Sequence, residues 1–378
     1  MAVSSVALSL TIPLFALLLE ERGASGTLIG LNHTAAALFM VLAAPVLPRI
    51  LGTIGVVPLM AWSAVALGIA MLLIPLYEDP LWWMALRPIF GIAATALFFG
   101  SEFWIVSLAP DEIRGRIIGV YVLILSVSYM AGPLILDALG TAGWAIYVVP
   151  ACIFALALIP IVLGSAYAPQ PEKEETPRTL ELLKFFRTDP MIVWGVVLFG
   201  VLEFGAMGLI SVWGIRSGMD QSTAVQLVFW LAFGSLAMQL PIGWAADKFD
   251  RRRLLTLGAF VASVTPLVML AVGGETAAAA GVFVMGGVAV AFYTLALVEL
   301  GSRYKGAALA RGNAAVVLAY GLGALGSPSG FGIAMDLIPP NGVLWLASLA
   351  GCAYLALCVV RLRNRPRDTL DSPGGISS

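Results

Sequence analysis

The chain has 378 residues, 60% of them hydrophobic and only 11% charged, with 40 glycines and a formal net charge of -1. Soluble domains carry about a quarter charged residues, so this composition is that of a membrane protein. The balanced charge gives no basic field for nucleic acid and no like-charge tail for a charged partner.

A helix needs about 20 apolar residues to cross a bilayer core of roughly 30 Å. Counted off between charge and turn clusters, twelve such runs follow one another. They lie at 2–19, 26–45, 54–77, 81–108, 115–138 and 143–164, then at 191–214, 221–245, 254–273, 277–300, 307–334 and 341–361. The first begins almost at Met1 without a basic lead and continues into further spans, so it reads as a span and not a cleavable signal peptide, and a native start upstream of Met1 is expected. The longest polar stretch, Ser165–Pro190, divides the chain into an N-terminal six-span bundle at 1–164, a linker at 165–190, a C-terminal bundle at 191–361 and a tail at 362–378. Within the linker Thr176 and Pro177 open a short interfacial helix whose Leu180, Leu183 and Phe186 share one face.

An even number of spans puts both termini on one side. With that side cytoplasmic, 18 of the 21 bases fall in cytoplasmic loops and tail; only Arg22 and Arg216 lie outside, and Arg87 lies within a span. Such an asymmetry fixes the orientation by the positive-inside rule. Cys152, Cys352 and Cys358 stand in apolar runs without metal-like spacing and read as small core residues, not as a disulfide framework or zinc site. The segment GLGALGSPSG, Gly321 to Gly330, is a bendable, close-packing stretch of the eleventh span and not a phosphate loop, since no G-x-x-x-x-G-K-S/T occurs. No cofactor is expected.

Two stretches repeat at nearly one offset. PVLPRILGTIGVVPL, from Pro45, aligns with PIGWAADKFDRRRLL, from Pro241, and RIIGVYVLILSVSYMAGPL, from Arg116, aligns with RGNAAVVLAYGLGALGSPS, from Arg311. Two copies of six spans share one topology and are related by an axis along the membrane normal.

The segment Gly243–Arg253, GWAADKFDRRR, resembles the loop signature of the major facilitator superfamily, roughly G-x-x-x-D-x-x-G-R-R, with Asp250 where glycine is usual. Arg87–Gly91, RPIFG, is similar to that superfamily's R-x-x-x-G element, and SEFW at 101–104, RGRIIGVY at 114–121 and FYTLALVE at 292–299 resemble its bacterial YcaD-like branch. The resemblance implies an all-α integral membrane fold of twelve transmembrane helices in two six-helix bundles with pseudo-two-fold symmetry. It also implies that the loop of Gly243, Asp247, Arg251 and Arg252 lies where the bundles meet. There Gly243 would permit close helix approach, and Asp247 would face the amino end of the fifth span near Ile113–Arg116, where a helix terminus favours an anion. The arginines would pair with Asp111, Glu112 or lipid phosphate. The loop is thus a candidate latch for the outward-facing state, with a topogenic charge cluster as its plainer alternative; the first copy keeps only Arg49 and has Leu51 at the aspartate position.

Ionisable groups inside spans are costly and by default mark a pathway. Glu203 stands twelve residues into the seventh span, about 18 Å along it and near the midplane. Gly200, Gly205 and Gly208 around it would allow unwinding or close packing. Proton exchange at such an acid is what coupling requires; a hydrogen bond to a neighbouring helix is its structural alternative. Glu102 and Glu299, near the inner ends of the fourth and tenth spans, either gate or snorkel to the interface. Arg87 either binds an anionic substrate or packs against outer-face groups such as Asp79; Glu102 lies about 22 Å from it along the same helix and is no partner. His33, the only histidine, and the adjacent Asn32 read first as interhelical hydrogen-bonders. Tyr121, Tyr129, Tyr293, Tyr320, Asn313, Gln226 and Trp104 are candidate cavity groups.

An integral-membrane enzyme would need a clustered catalytic set that one histidine and no H-E-x-x-H do not supply. The pattern is that of a secondary transporter in the bacterial inner membrane, multi-pass with both termini cytoplasmic and working as a monomer by alternating access. It moves a small organic solute, coupled to protons or facilitatively, with export preferred. A transport-inactive sensor or scaffold and a facilitative nutrient permease are the alternatives.

Overall fold

The computed structural model describes residues 1–110, 113–169, 185–304 and 306–363. Among them are twelve helices long and apolar enough to span a membrane. The first six are Ala2–Glu21, Gly26–Ala43, Val56–Leu73, Pro80–Leu108, Arg114–Leu139 and the broken pair Ala145–Leu156 and Leu158–Leu163. The second six are Pro190–Arg216, Gln221–Lys248, Arg251–Val272, Gly274–Arg303, Gly306–Leu337 and Gly342–Arg363. They are called spans 1 to 12 below.

Local chemistry sets the ends of these helices. Ser25, Asp79, Asp220 and Asp250 each accept a backbone N–H of the first turn of spans 2, 4, 8 and 9, satisfying donors that a helix start leaves free. Asp250, where the resembling signature has glycine, therefore caps span 9, bonding Arg252 N at 2.8 Å and Arg253 N at 3.3 Å. A short amphipathic helix, Leu47–Ile54, separates spans 2 and 3, burying Leu47 and Leu51 one turn apart. It was not expected, because the loop carries little charge to mark it. A single helical turn, Phe185–Thr188, precedes span 7; the expected start of the linker helix at Thr176 and Pro177, with Leu180 and Leu183, lies outside the described residues.

The halves are built alike. Span 1 packs on 5 as 7 packs on 11, span 2 on 4 as 8 on 10, and span 3 on 6 as 9 on 12. The seam between the halves follows the same symmetry: spans 2 and 11 meet, spans 8 and 5 meet, and span 1 meets span 7. Spans 1 and 7 are the most buried. Cys358 is buried as expected, but Cys152 and Cys352 are exposed, on faces where a small apolar thiol meets lipid at no cost.

Candidate functional site

Twelve successive spans put the start of span 1 and the end of span 12 on one face, called here the termini face; the opposite face is the far face. On the far face the halves are clasped. Arg216, ending span 7, donates to both carboxylate oxygens of Glu20, ending span 1, from Nε at 2.9 Å and Nη2 at 2.8 Å, and to the Ala24 carbonyl at 3.0 Å. Its Nη1 stands 3.4 Å from Asp336 near the end of span 11. Asp336 in turn accepts from the backbone nitrogens of Gly26 and Thr27 and from the Thr27 hydroxyl, each at 2.7 Å. A carboxylate of the second half thus closes the amino end of span 2 in the first, where the unsatisfied N–H groups and helix dipole favour an anion.

Below the clasp the backbones nearly touch. A Cβ on Gly332 would lie 2.1 Å from the Gly26 carbonyl oxygen, and one on Gly30 would lie 2.1 Å from that of Pro328. His33 packs its ring on Gly208, and Thr34 bonds Ser329 at 2.7 Å. To one side Gln226 donates to Asp137 at 3.2 Å. Among the described residues, the hydrogen bonds and ion pairs between halves lie between the far face and the level of Thr34, midway along span 2.

Glu203 stands midway along span 7. It is half-buried and accepts the Tyr320 hydroxyl of span 11 at 2.9 Å. The Tyr320 ring stacks on Phe199, centroids 5.3 Å apart, and Phe199 on Tyr293 of span 10 at 5.4 Å. Tyr129 of span 5, in the other half, lies within electrostatic reach of Glu203, and Tyr293 lies within reach of both Glu203 and Glu102. Tyr121 bonds Ser101 at 2.7 Å beside Glu102. Expected residues Glu203, Glu102, Tyr121, Tyr129, Tyr293 and Tyr320 therefore come together, two acids and four phenols linked by hydrogen bonds or electrostatic reach across the interface between the halves. The glycines near Glu203 serve close packing, not unwinding: span 7 is continuous, and a Cβ on Gly200 would lie 2.5 Å from the Tyr320 carbonyl oxygen.

Other expected residues are placed elsewhere. Trp104 packs on Gly164 and Asn313 is exposed. Arg87, His33 and Asn32 form a separate buried group toward the far face. Arg87 does not meet Asp79, which is used as the cap of span 4; it donates instead to Asn32 Oδ1 and lies over the Phe15 ring at 3.7 Å.

On the termini face Glu299 does not snorkel. It is almost buried, pairs with Arg251 at 3.2 Å and also holds Arg303, which reaches Asp189 at 2.6 Å. Tyr304 donates to the same Asp189 at 2.6 Å, a bond that pushes the pKa of its own phenol up. This clamp lies wholly within the second half. Asp247, Arg251, Arg252, Glu299 and Arg303 line a cavity of about 320 Å³ beside it. Asp247 is exposed and makes no hydrogen bond or ion pair among the described residues, and nothing lies within 4 Å of where a Gly243 Cβ would be. The close helix approach expected at Gly243 is thus not made in this conformation. Asp111 and Glu112, the expected partners of the loop arginines, lie outside the described residues. The clasp was missed: Glu20, Arg216 and Asp336 were legible only as acids and a base at span ends.

The family model described as Major Facilitator Superfamily matches residues 1–238 and 218–376. The chain belongs to this superfamily. Among relatives within it, the MFS-type transporter YfkF of Bacillus subtilis is 25% identical over 389 residues, 98% of this chain and 96% of that one. YcaD of Escherichia fergusonii is 24% identical over 285 residues, 75% of this chain and 73% of that one. Among solved structures, the nucleoside transporter NupG matches with a TM-score of 0.74 at 12% identity, covering 95% of this chain and 95% of that one. A D-xylose-proton symporter matches with a TM-score of 0.71 at 16% identity, covering 97% of both. This superfamily member is a multi-pass membrane transporter of small molecules, with the fold of two six-helix bundles.

Proposed function

We propose that the protein is a proton-coupled secondary transporter that carries a small organic solute across the bacterial inner membrane by alternating access, both termini being cytoplasmic. The bias of lysine and arginine toward the termini face supports that orientation. The far face is then periplasmic, and the conformation described is the one clasped on that face.

The observation that carries the reading is Glu203. It is an acid at mid-span, bonded to Tyr320 and within electrostatic reach of Tyr129 across the interface, at about the depth of the Thr34–Ser329 bond between the halves. Alternation of access exposes a group at that depth first to one side and then to the other, which is what proton exchange coupled to solute movement needs. The titratable groups around it are Tyr129, Tyr293, Tyr320 and, through Tyr293, Glu102. Few fixed charges are among them, which suits an apolar, zwitterionic or singly charged solute. Export is the direction taken by this reading.

The test is transport in proteoliposomes under an imposed pH gradient, with a panel of metabolites and dyes. A substrate should dissipate the gradient on addition. Glu203→Gln should lose gradient-driven accumulation while keeping binding and exchange. If the variant still concentrates substrate with the wild-type pH dependence, Glu203 is a structural acid; if no compound moves protons, a facilitative carrier or a sensor replaces the coupled one.

A further inference from the structure

Arg87 is 4% exposed and Asn32 1% exposed, at about 10 Å from the far face as counted along their helices. Arg87 uses Nε on Asn32 Oδ1 and rests its guanidinium on Phe15 at 3.7 Å, with Phe90 at 5.8 Å. Its Nη2 has no hydrogen-bond partner, and neither has Asn32 Nδ2. Both unpartnered atoms are donors. His33 offers them nothing, because both its ring nitrogens face main-chain carbonyls, those of Ile29 at 3.2 Å and Ile12 at 3.1 Å. Among the described residues no carboxylate pairs with Arg87; Arg22, which follows span 1, lies over Trp83 at 4.5 Å and bonds Leu18 and Glu78.

A buried cation without a counter-charge is among the costliest arrangements a membrane protein holds, and a water molecule relieves the hydrogen bonds but not the charge. A donor set of one guanidinium edge and one amide N–H2 matches a small planar or spherical anion. We propose that Arg87 and Asn32 form a binding subsite for a small monoanion, a carboxylate above all.

The subsite is sealed in this conformation by the seam one residue away, where His33 of span 2 packs on Gly208 of span 7. Ser211, one turn farther along the same face of span 7, is also buried with an unpartnered hydroxyl. Parting spans 2 and 7 would open the group toward the far face, so the anion favours the conformation in which the Asp336 clasp is undone. That the anion is part of the transported solute rests on the transport reading above; that an anion binds does not.

The test uses the full chain purified in detergent, in a bulky sulfonate buffer at constant ionic strength, with thermal unfolding followed as sodium acetate, sodium benzoate or sodium chloride is added. A ligand that binds the folded state raises the melting temperature with saturation. Acetate or benzoate should do so for the wild type, and Arg87→Lys, which keeps the charge but not the fork, should weaken the response. Asn32→Asp supplies a carboxylate from within: it should raise the melting temperature without any anion and abolish the response. An equal response to chloride assigns the site to free anions; a response confined to carboxylates assigns it to a solute's acid group. Absence of any anion response, or an Asn32→Asp variant that is less stable and still responds, overturns the site. Tracer transport is scored separately: an anion response without any transport keeps the subsite and removes the carrier reading, whereas transport with no anion response does the reverse.

Discussion

Arg216 holds Glu20 through both carboxylate oxygens, at 2.8 and 2.9 Å, across the seam between the two halves. The two residues end spans 7 and 1, which are equivalent in the repeat, so the clasp lies on the pseudo-symmetry axis itself, where a small separation of the halves breaks both bonds at once. Arg216→Met should therefore favour the conformation open on the far face. The pair is partly exposed, so solvent screening limits the effect to about 1 kcal/mol, roughly fivefold in the conformer ratio. Distances between spin labels at the far ends of spans 1 and 7 measure it, and an unchanged distribution assigns the pair to neither state.

Gly332→Ala tests the backbone contact beneath the clasp. The added methyl would lie 2.1 Å from the Gly26 carbonyl oxygen, a clash that exists only while spans 2 and 11 are closed. Overpacking of this kind costs about 1–3 kcal/mol, or roughly 5- to 150-fold in the ratio of closed to open conformers. A cysteine introduced at Thr34 should become reactive toward a membrane-impermeant thiol reagent in this variant and remain protected without it.

Asp247→Asn should leave the conformation described here intact, because Asp247 is exposed and makes no hydrogen bond or ion pair among the described residues. Its effect belongs to the opposite conformation, where a helix amino end would hold the aspartate with about 0.3–1 kcal/mol. Labels across the termini face should show this conformer gaining at the other's expense. A loss of thermal stability instead would place Asp247 in a contact of the present conformation.

The twelve spans were legible because membrane thickness fixes the length of an apolar run, whatever the neighbours. The repeat pointed to the pairing of spans, and the packing of 1 on 5 and 7 on 11 follows it. Residue pairing across the seam was not legible. Nothing in periodicity says that Glu20, Arg216 and Asp336, far apart in sequence, end at one point, and Glu299 looked like Glu102 until the depth and direction of each were known. Asp250 was legible after all: an acid immediately before a helix is a cap, and only its comparison with a glycine signature made it look like a departure. The tyrosines around Glu203 were recognisable as polar groups in spans, but their convergence needed the packing of spans 5, 7, 10 and 11.

Tyr320→Phe separates the two roles of that residue. Phenylalanine keeps the ring against Phe199 and Phe204, at 5.3 and 5.9 Å between centroids, so packing and folding should be nearly unchanged. It removes only the hydroxyl that donates to Glu203 at 2.9 Å, a bond to a half-buried carboxyl worth about 1 kcal/mol. If the two groups act as a unit in coupling, Tyr320→Phe should lower gradient-driven uptake several-fold in the wild-type background and have no further effect once Glu203→Gln is present. Residues sharing one hydrogen bond are non-additive in a double-mutant cycle, whereas independent sites add. The measurement is initial uptake rate in proteoliposomes for the four members of the cycle, with substrate binding measured alongside. Additive losses would mean that Tyr320 shapes the cavity for the solute and that Glu203 handles its proton without it.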